Sequence, residues 1–148
     1  MMTKEEFVKT ALAAAEESSH TSGLPEWVTV AQAALESRWG ASWLSCRAHN
    51  YFGIKAHKGH AEILLPTTEC ARGTTEHVTA AFAKYGSMLE CFQCRDHLLT
   101  HAAVYAAARE KRADEEAFID EMARHWATDP HYAEKLKAVL HEVKGGTE

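Results

Sequence analysis

Apolar residues first recur three and four positions apart. Phe7, Val8, Ala11, Leu12 and Ala15 make one stripe within residues 4–18, which predicts an amphipathic helix. The stretch at 19–25, Ser-His-Thr-Ser-Gly-Leu-Pro, breaks that pattern, and Pro25 suits the first turn of a second helix. This helix runs to Gly40 as its C-terminal cap. Its apolar residues Trp27, Val28, Val30, Ala31, Ala34 and Leu35 cover much of its circumference, so it is expected to be central and largely buried. Residues 40–60 read as irregular, punctuated by Gly40, Asn50, Gly53 and Gly59. Two β-favouring runs follow, at 62–69 and 76–85. In the second, Val78, Ala80 and Phe82 alternate with Thr79 and Ala81. The segment 70–75 between them holds Gly73, and the pair predicts a small hairpin. Helical spacing returns over 86–105 and again over 114–126, where Asp114 is placed to cap. A last helix starts near Asp129-Pro130 and runs to residue 143. The expected architecture is a mainly α single domain, residues 1–148, with one small β lobe and a flexible tail at 145–148.

Composition adds exclusions. The 148 residues fit one domain at about 150 residues each. Lys plus Arg is 16 and Asp plus Glu is 21, a net charge of −5. That balance argues against nucleic acid as a partner, which calls for a basic face, and against docking on anionic membranes. No apolar run is long enough to span a bilayer. The first residues lack a basic start followed by an apolar block, so they are expected to be mature structure and not a signal peptide. Work outside the cytoplasm would then need a pore, lysis, a virion or a larger parent protein.

Cys91 and Cys94 form a C-x-x-C pair, while Cys46 and Cys70 stand alone. A zinc site usually wants a second pair, and a thioredoxin-type motif wants a preceding strand. The favoured reading is small interior residues in a reducing compartment, with no metal and no cofactor.

Glu36 is the first candidate for chemistry. It sits in the last turn of an apolar helix, where the negative end of the dipole disfavours its charge and neighbours such as Trp39 and Leu35 would desolvate it. A carboxyl kept protonated near neutral pH is a general acid; a surface carboxylate paired with Arg38 is the competing reading. A glycosidase needs a second carboxylate, and the hairpin offers Glu62, Glu69 and Glu76. Glu69 lies beside the turn, where a loop can aim it into a groove. The segment 49–59 gathers Asn50, Tyr51, Phe52 and Gly53 with lysines, a mixture suited to stacking on sugars and hydrogen-bonding them. Core plugging by Tyr51 or Phe52 is the alternative. Trp126 and Tyr132 flank the Ala-Thr-Asp-Pro-His turn and can wall a groove.

Five blocks then occur in order: ALESRWG at 34–40, NYFGIKA at 50–56, PTTECARGTTEHVTAAFAKY at 66–85, SMLECFQCRDHLL at 87–99 and WATDPHYAEKL at 126–136. Together they resemble the glucosaminidase domain of glycoside hydrolase family 73, found in bacterial autolysins, phage lysins and the flagellar rod protein. The resemblance implies a lysozyme-like fold and cleavage of the β-1,4 bond between N-acetylglucosamine and N-acetylmuramic acid. It puts Glu36 on the general acid and Glu69 on the second acidic residue. It puts Asn50, Tyr51, Phe52 and Gly53 on the cleft loop, Tyr85 on the aromatic closing the β lobe and Tyr132 on the aromatic after the turn. Arg38 replaces a common Gly, Trp126 a Tyr and Cys94 an Asp. Arg38 is the departure expected to lower the acid's pKa. The implied partner is the peptidoglycan glycan strand, engaged by a monomer at the bacterial cell wall. Alternatives are a muramidase or lytic transglycosylase on the same fold, or a non-catalytic wall-binding or virion-assembly module.

Overall fold

The computed structural model describes residues 2–71 and 73–145, with the side chains of 69–71 outside that description. Of the predicted tail, only Gly145 falls among the described residues.

The first helix, α1 (Lys4–Ser22), opens with a capping box between Thr3 and Glu6 and buries Phe7, Ala11, Ala15 and Ser18 on one face. It continues four residues past the predicted end and stops at Gly23, whose φ is +71°. Tertiary bonds explain the extra turn. Ser18 and Ser22 both donate to Asp96, at 2.7 and 2.9 Å, which outweighs the weak helix preference of serine.

The second helix, α2 (Glu26–Ser37), is the buried centre. Eight of its twelve residues are buried, between α1 on one side and the last helix, α7 (Tyr132–Val143), on the other. The cap predicted at Gly40 falls instead on Arg38. Arg38, Trp39 and Gly40 take φ values of 51°, 58° and 81° in succession. Gly40 has a different reason to be glycine: a Cβ there would meet Phe7 Cδ1 at 2.9 Å.

Residues 40–60 are not wholly irregular. They include α3 (Trp43–Ala48), capped by Ser42. Six residues are too few to show a period in the sequence. The hairpin has β1 (Glu62–Ala71) antiparallel to β2 (Thr74–Ala83), so the strands run closer to the turn than predicted and end before Tyr85. Half-buried Ile63, Leu65 and Thr67 pair with Phe82, Ala80 and Val78 on one face, while Leu64 on the other is 60% exposed. Pro66 is tolerated because a two-stranded sheet has only edges.

The rest is helical: α4 (Met88–His101), a 3-10 turn at Ala103–Tyr105, α5 (Ala106–Glu110), α6 (Glu115–Trp126) and α7. The predicted single run over 86–105 breaks at Ala102, and Arg109 Nη1 donates to the carbonyls of Leu99 and Ala102 there. Asp114 caps α6 as expected, accepting from Ala117 N at 3.1 Å. Phe7, Phe92, Phe118, Ile119, Met122 and Leu136 share one continuous core with α2. The mainly α fold with a two-stranded lobe is as the sequence predicted.

Candidate active site

Glu36 projects half-buried from the last turn of α2 into a cavity of about 340 Å³. The cavity is bounded by Phe52, Ile54 and His57 from the loop after α3, Tyr105 from the 3-10 turn and Trp126 from the end of α6. Cavity size does not single it out. A pocket of about 350 Å³ lies between α1 and α4, against Ser18, Ser22, His97 and His101. The chemistry of the lining decides: aromatic faces, which suit sugar rings, surround one carboxyl.

That carboxyl is held above the ordinary carboxylate range. Burial is the larger cause, and a hydrogen bond from Tyr132 opposes it. Tyr132 is itself buried, and its hydroxyl is pushed upward by that burial and by the charge of Glu36. Two sequence expectations change here. Trp39 does not desolvate Glu36. The left-handed turn carries Trp39 against Phe7, edge-on at 6.2 Å, with Lys4 Nζ 4.6 Å from its ring. Arg38 does not hold the acid down either: it is exposed and is not among the groups that set Glu36.

The loop residues divide by direction. Phe52 is buried yet borders the cavity, tilted on Phe92 and edge-on to Trp126 at 6.3 Å. Gly53 borders it too, at φ +71°. Tyr51 turns into the core against Phe7 and Phe92. Asn50 is spent on the loop itself. Its Oδ1 accepts from the amides of Phe52, Gly53 and Ile54, and its Nδ2 donates to the carbonyls of Ile54 and Ala83. Tyr85 is buried below the lobe, its hydroxyl donating to Cys94 Sγ at 3.2 Å and its ring near His60. Glu69 lies on β1 opposite Glu76, and its side chain is outside the described residues.

Sequence reading missed the polar support behind Glu36. Thr29, Gln32 and Glu36 sit at i, i+3 and i+7 on α2, a polar stripe on an otherwise apolar helix. That spacing was the available signal. Arg95, buried on α4, bonds to Thr29 and Gln32 at 2.8 Å each, and Gln32 reaches Tyr132 at 3.2 Å.

Cys46, Cys91 and Cys94 do not line this cavity. Cys91 is buried, its thiol pushed up to about 12 by burial, and Cys46 is exposed. Cys70's side chain is outside the described residues. No group of three or more His, Cys, Asp or Glu side chains could hold a metal ion among the described residues.

The family model described as mannosyl-glycoprotein endo-beta-N-acetylglucosaminidase matches residues 12–145. The chain belongs to this glucosaminidase family. The family resemblance read from the five sequence blocks is therefore correct. This glucosaminidase domain is 35% identical to the peptidoglycan hydrolase FlgJ of Salmonella typhimurium, over 88% of the chain and 43% of that protein. It is 34% identical to the exo-glucosaminidase LytG of Bacillus subtilis, over 76% of the chain and 42% of that protein. The chain thus spans less than half the length of these curated relatives. Among solved structures, the catalytic domain of the autolysin Auto from Listeria monocytogenes superposes with a TM-score of 0.86 at 28% identity, covering 97% of this chain and 86% of that one.

Proposed function

We propose that the chain is a peptidoglycan hydrolase, an endo-β-N-acetylglucosaminidase with Glu36 as its general acid. The observation that carries this reading is a single half-buried carboxyl, raised by burial, at the wall of an aromatic cavity in a glucosaminidase-family domain. Glu36 gives its proton to the glycosidic oxygen as the bond to the anomeric carbon breaks. Glu69 supplies the second carboxylate and takes a proton from the water that adds to that carbon. Phe52, Gly53 and Trp126 form the sugar-binding wall, while Asn50, Tyr51 and Tyr85 hold the loop and the lobe in register. Tyr132 acts on Glu36. The substrate is the glycan strand of the bacterial wall, and the working unit is a monomer. No helix is long and apolar enough to cross a membrane among the described residues.

The experiment is digestion of purified peptidoglycan, reduction of the products and mass spectrometry of their ends. Reduced N-acetylglucosamine ends support the assignment. Reduced N-acetylmuramic acid ends would make the domain a muramidase, and anhydro ends a lytic transglycosylase. Glu69→Gln lowers turnover about 100-fold or more, a typical loss for an acid–base group. Unchanged turnover would remove Glu69 from the mechanism.

A further inference from the structure

Behind Glu36 runs a chain of hydrogen bonds that the proton transfer itself does not use. Arg95, fully buried on α4, donates from Nε to Gln32 Oε1 at 2.8 Å. Its Nη1 donates to Thr29 Oγ1 and Asp96 Oδ1, both at 2.8 Å. Gln32 Nε2 donates to Tyr132 Oη at 3.2 Å, and the buried Tyr132 lies beside Glu36, each shifting the other's pKa.

Every link has a direction. A guanidinium has donors and no acceptor. Gln32 must therefore turn its carbonyl oxygen to Arg95 and its amide hydrogens to Tyr132. The phenol oxygen accepts from Gln32, and its one proton is left for Glu36. A Gln32 amide turned the other way would face donor against donor at Arg95 and would draw the phenol proton to itself. We propose that Arg95 and Gln32 are positioning residues, which fix the Tyr132 hydroxyl as a donor to Glu36 and so set how firmly the acid holds its proton.

The arrangement is costly in a way that packing alone would not require. Arg95 Nη2 has no hydrogen-bond partner among the described residues, and the guanidinium lies 5.5 Å from the Phe52 ring. A buried cation with an unsatisfied donor is a poor filler, but a rigid fork of donors reaches Thr29, Asp96 and Gln32 together and so imposes the direction on Gln32.

The inference rests on reading Glu36 as the acid, and its test has a readout that does not need activity. Glu36 is titrated by NMR of isotope-labelled glutamate side chains, assigned with Glu36→Gln, beside the basic limb of kcat/KM against pH. Lys55 and His57 of the loop and Tyr105 of the 3-10 turn also face the cavity. His125 of α6 packs on Tyr105, and Arg38 ends α2. The variants leave all of these in place. Gln32→Glu keeps the pairing with Arg95 and offers Tyr132 an acceptor, reversing the last link.

The expected result is a rise of about one pH unit in the Glu36 midpoint and in the basic limb, shrinking to less than half when Tyr132 is replaced by Phe. The residue of that rise is the bare charge of the new carboxylate. Arg95→Lys, which keeps the charge beside Asp96 but not the fork, gives a rise that vanishes in the Phe background. It stands in should Gln32→Glu not fold. Shifts of equal size with Tyr and with Phe at 132, or no shift, would overturn the proposal. A moved midpoint in a protein that cuts no wall keeps the positioning and sinks the enzymatic reading. Normal cutting with an unmoved midpoint does the reverse.

Discussion

Glu36 is balanced between burial, which raises its pKa, and the Tyr132 hydroxyl, which lowers it; burial wins. A carboxyl raised on folding adds stability that is full below its unfolded pKa and lost as pH rises through the folded one. Glu36→Gln should therefore melt above the wild type at neutral pH, with the gap closing as pH falls through the carboxylate range. A scan of Tm against pH checks this, and a gap that widens toward acid would contradict it. For the same reason wall cleavage declines as pH rises through the Glu36 value. Glu36 was legible because a carboxylate in the last turn of an apolar helix is conspicuous. Its surroundings were not, since Phe52, Tyr105 and Trp126 reach it from three separate segments. Asn50 shows the converse. An amide in a loop looked ready for sugar, yet the loop consumes both ends of it. Asn50→Ala should cost about 2 kcal/mol of stability, from buried groups left unpaired, in denaturant unfolding.

At the scale of elements, helix bodies followed from spacing and their ends only in part: Asp114 caps where expected, while Gly40 does not. Gly40 looked like a cap, but chain reversal begins two residues earlier, at Arg38. A left-handed residue with a Cβ carries a penalty of about 1 kcal/mol, so Arg38→Gly should raise stability by roughly that amount. Gly40→Ala should do the opposite, by about 2 kcal/mol, through both its φ of +81° and the contact with Phe7. Unfolding curves of the pair check both signs. The hairpin was legible from its alternation. Among the described side chains its outer half is exposed at most positions, and Pro66 pairs with Thr79 across the hairpin. Replacing residues 67–78 by an Asn-Gly turn should keep Tm within about 4 °C, a change of order 1 kcal/mol or less, while wall cleavage is lost. Retained cleavage would free the outer lobe, Glu69 included, from any catalytic part.

Over the whole molecule, α2 explains why a site forms at all. It is packed between α1 and α7 and carries its polar stripe toward α4 and α7. The core thus grips one face of Glu36 while the loop residues Phe52, Ile54 and His57 border the cavity on the other. The order of helices, hairpin and helices was readable from the sequence. The convergence of residues 32, 36, 95 and 132 was not, because it depends on how three helices pack. The most direct test of the account is digestion of purified peptidoglycan by wild type and Glu36→Gln side by side. The account predicts soluble muropeptides from the wild type and at least about a 100-fold loss in the variant, the scale of a lost general acid, with the fold intact. Equal cutting by a folded Glu36→Gln, or none by a folded wild type, would contradict it.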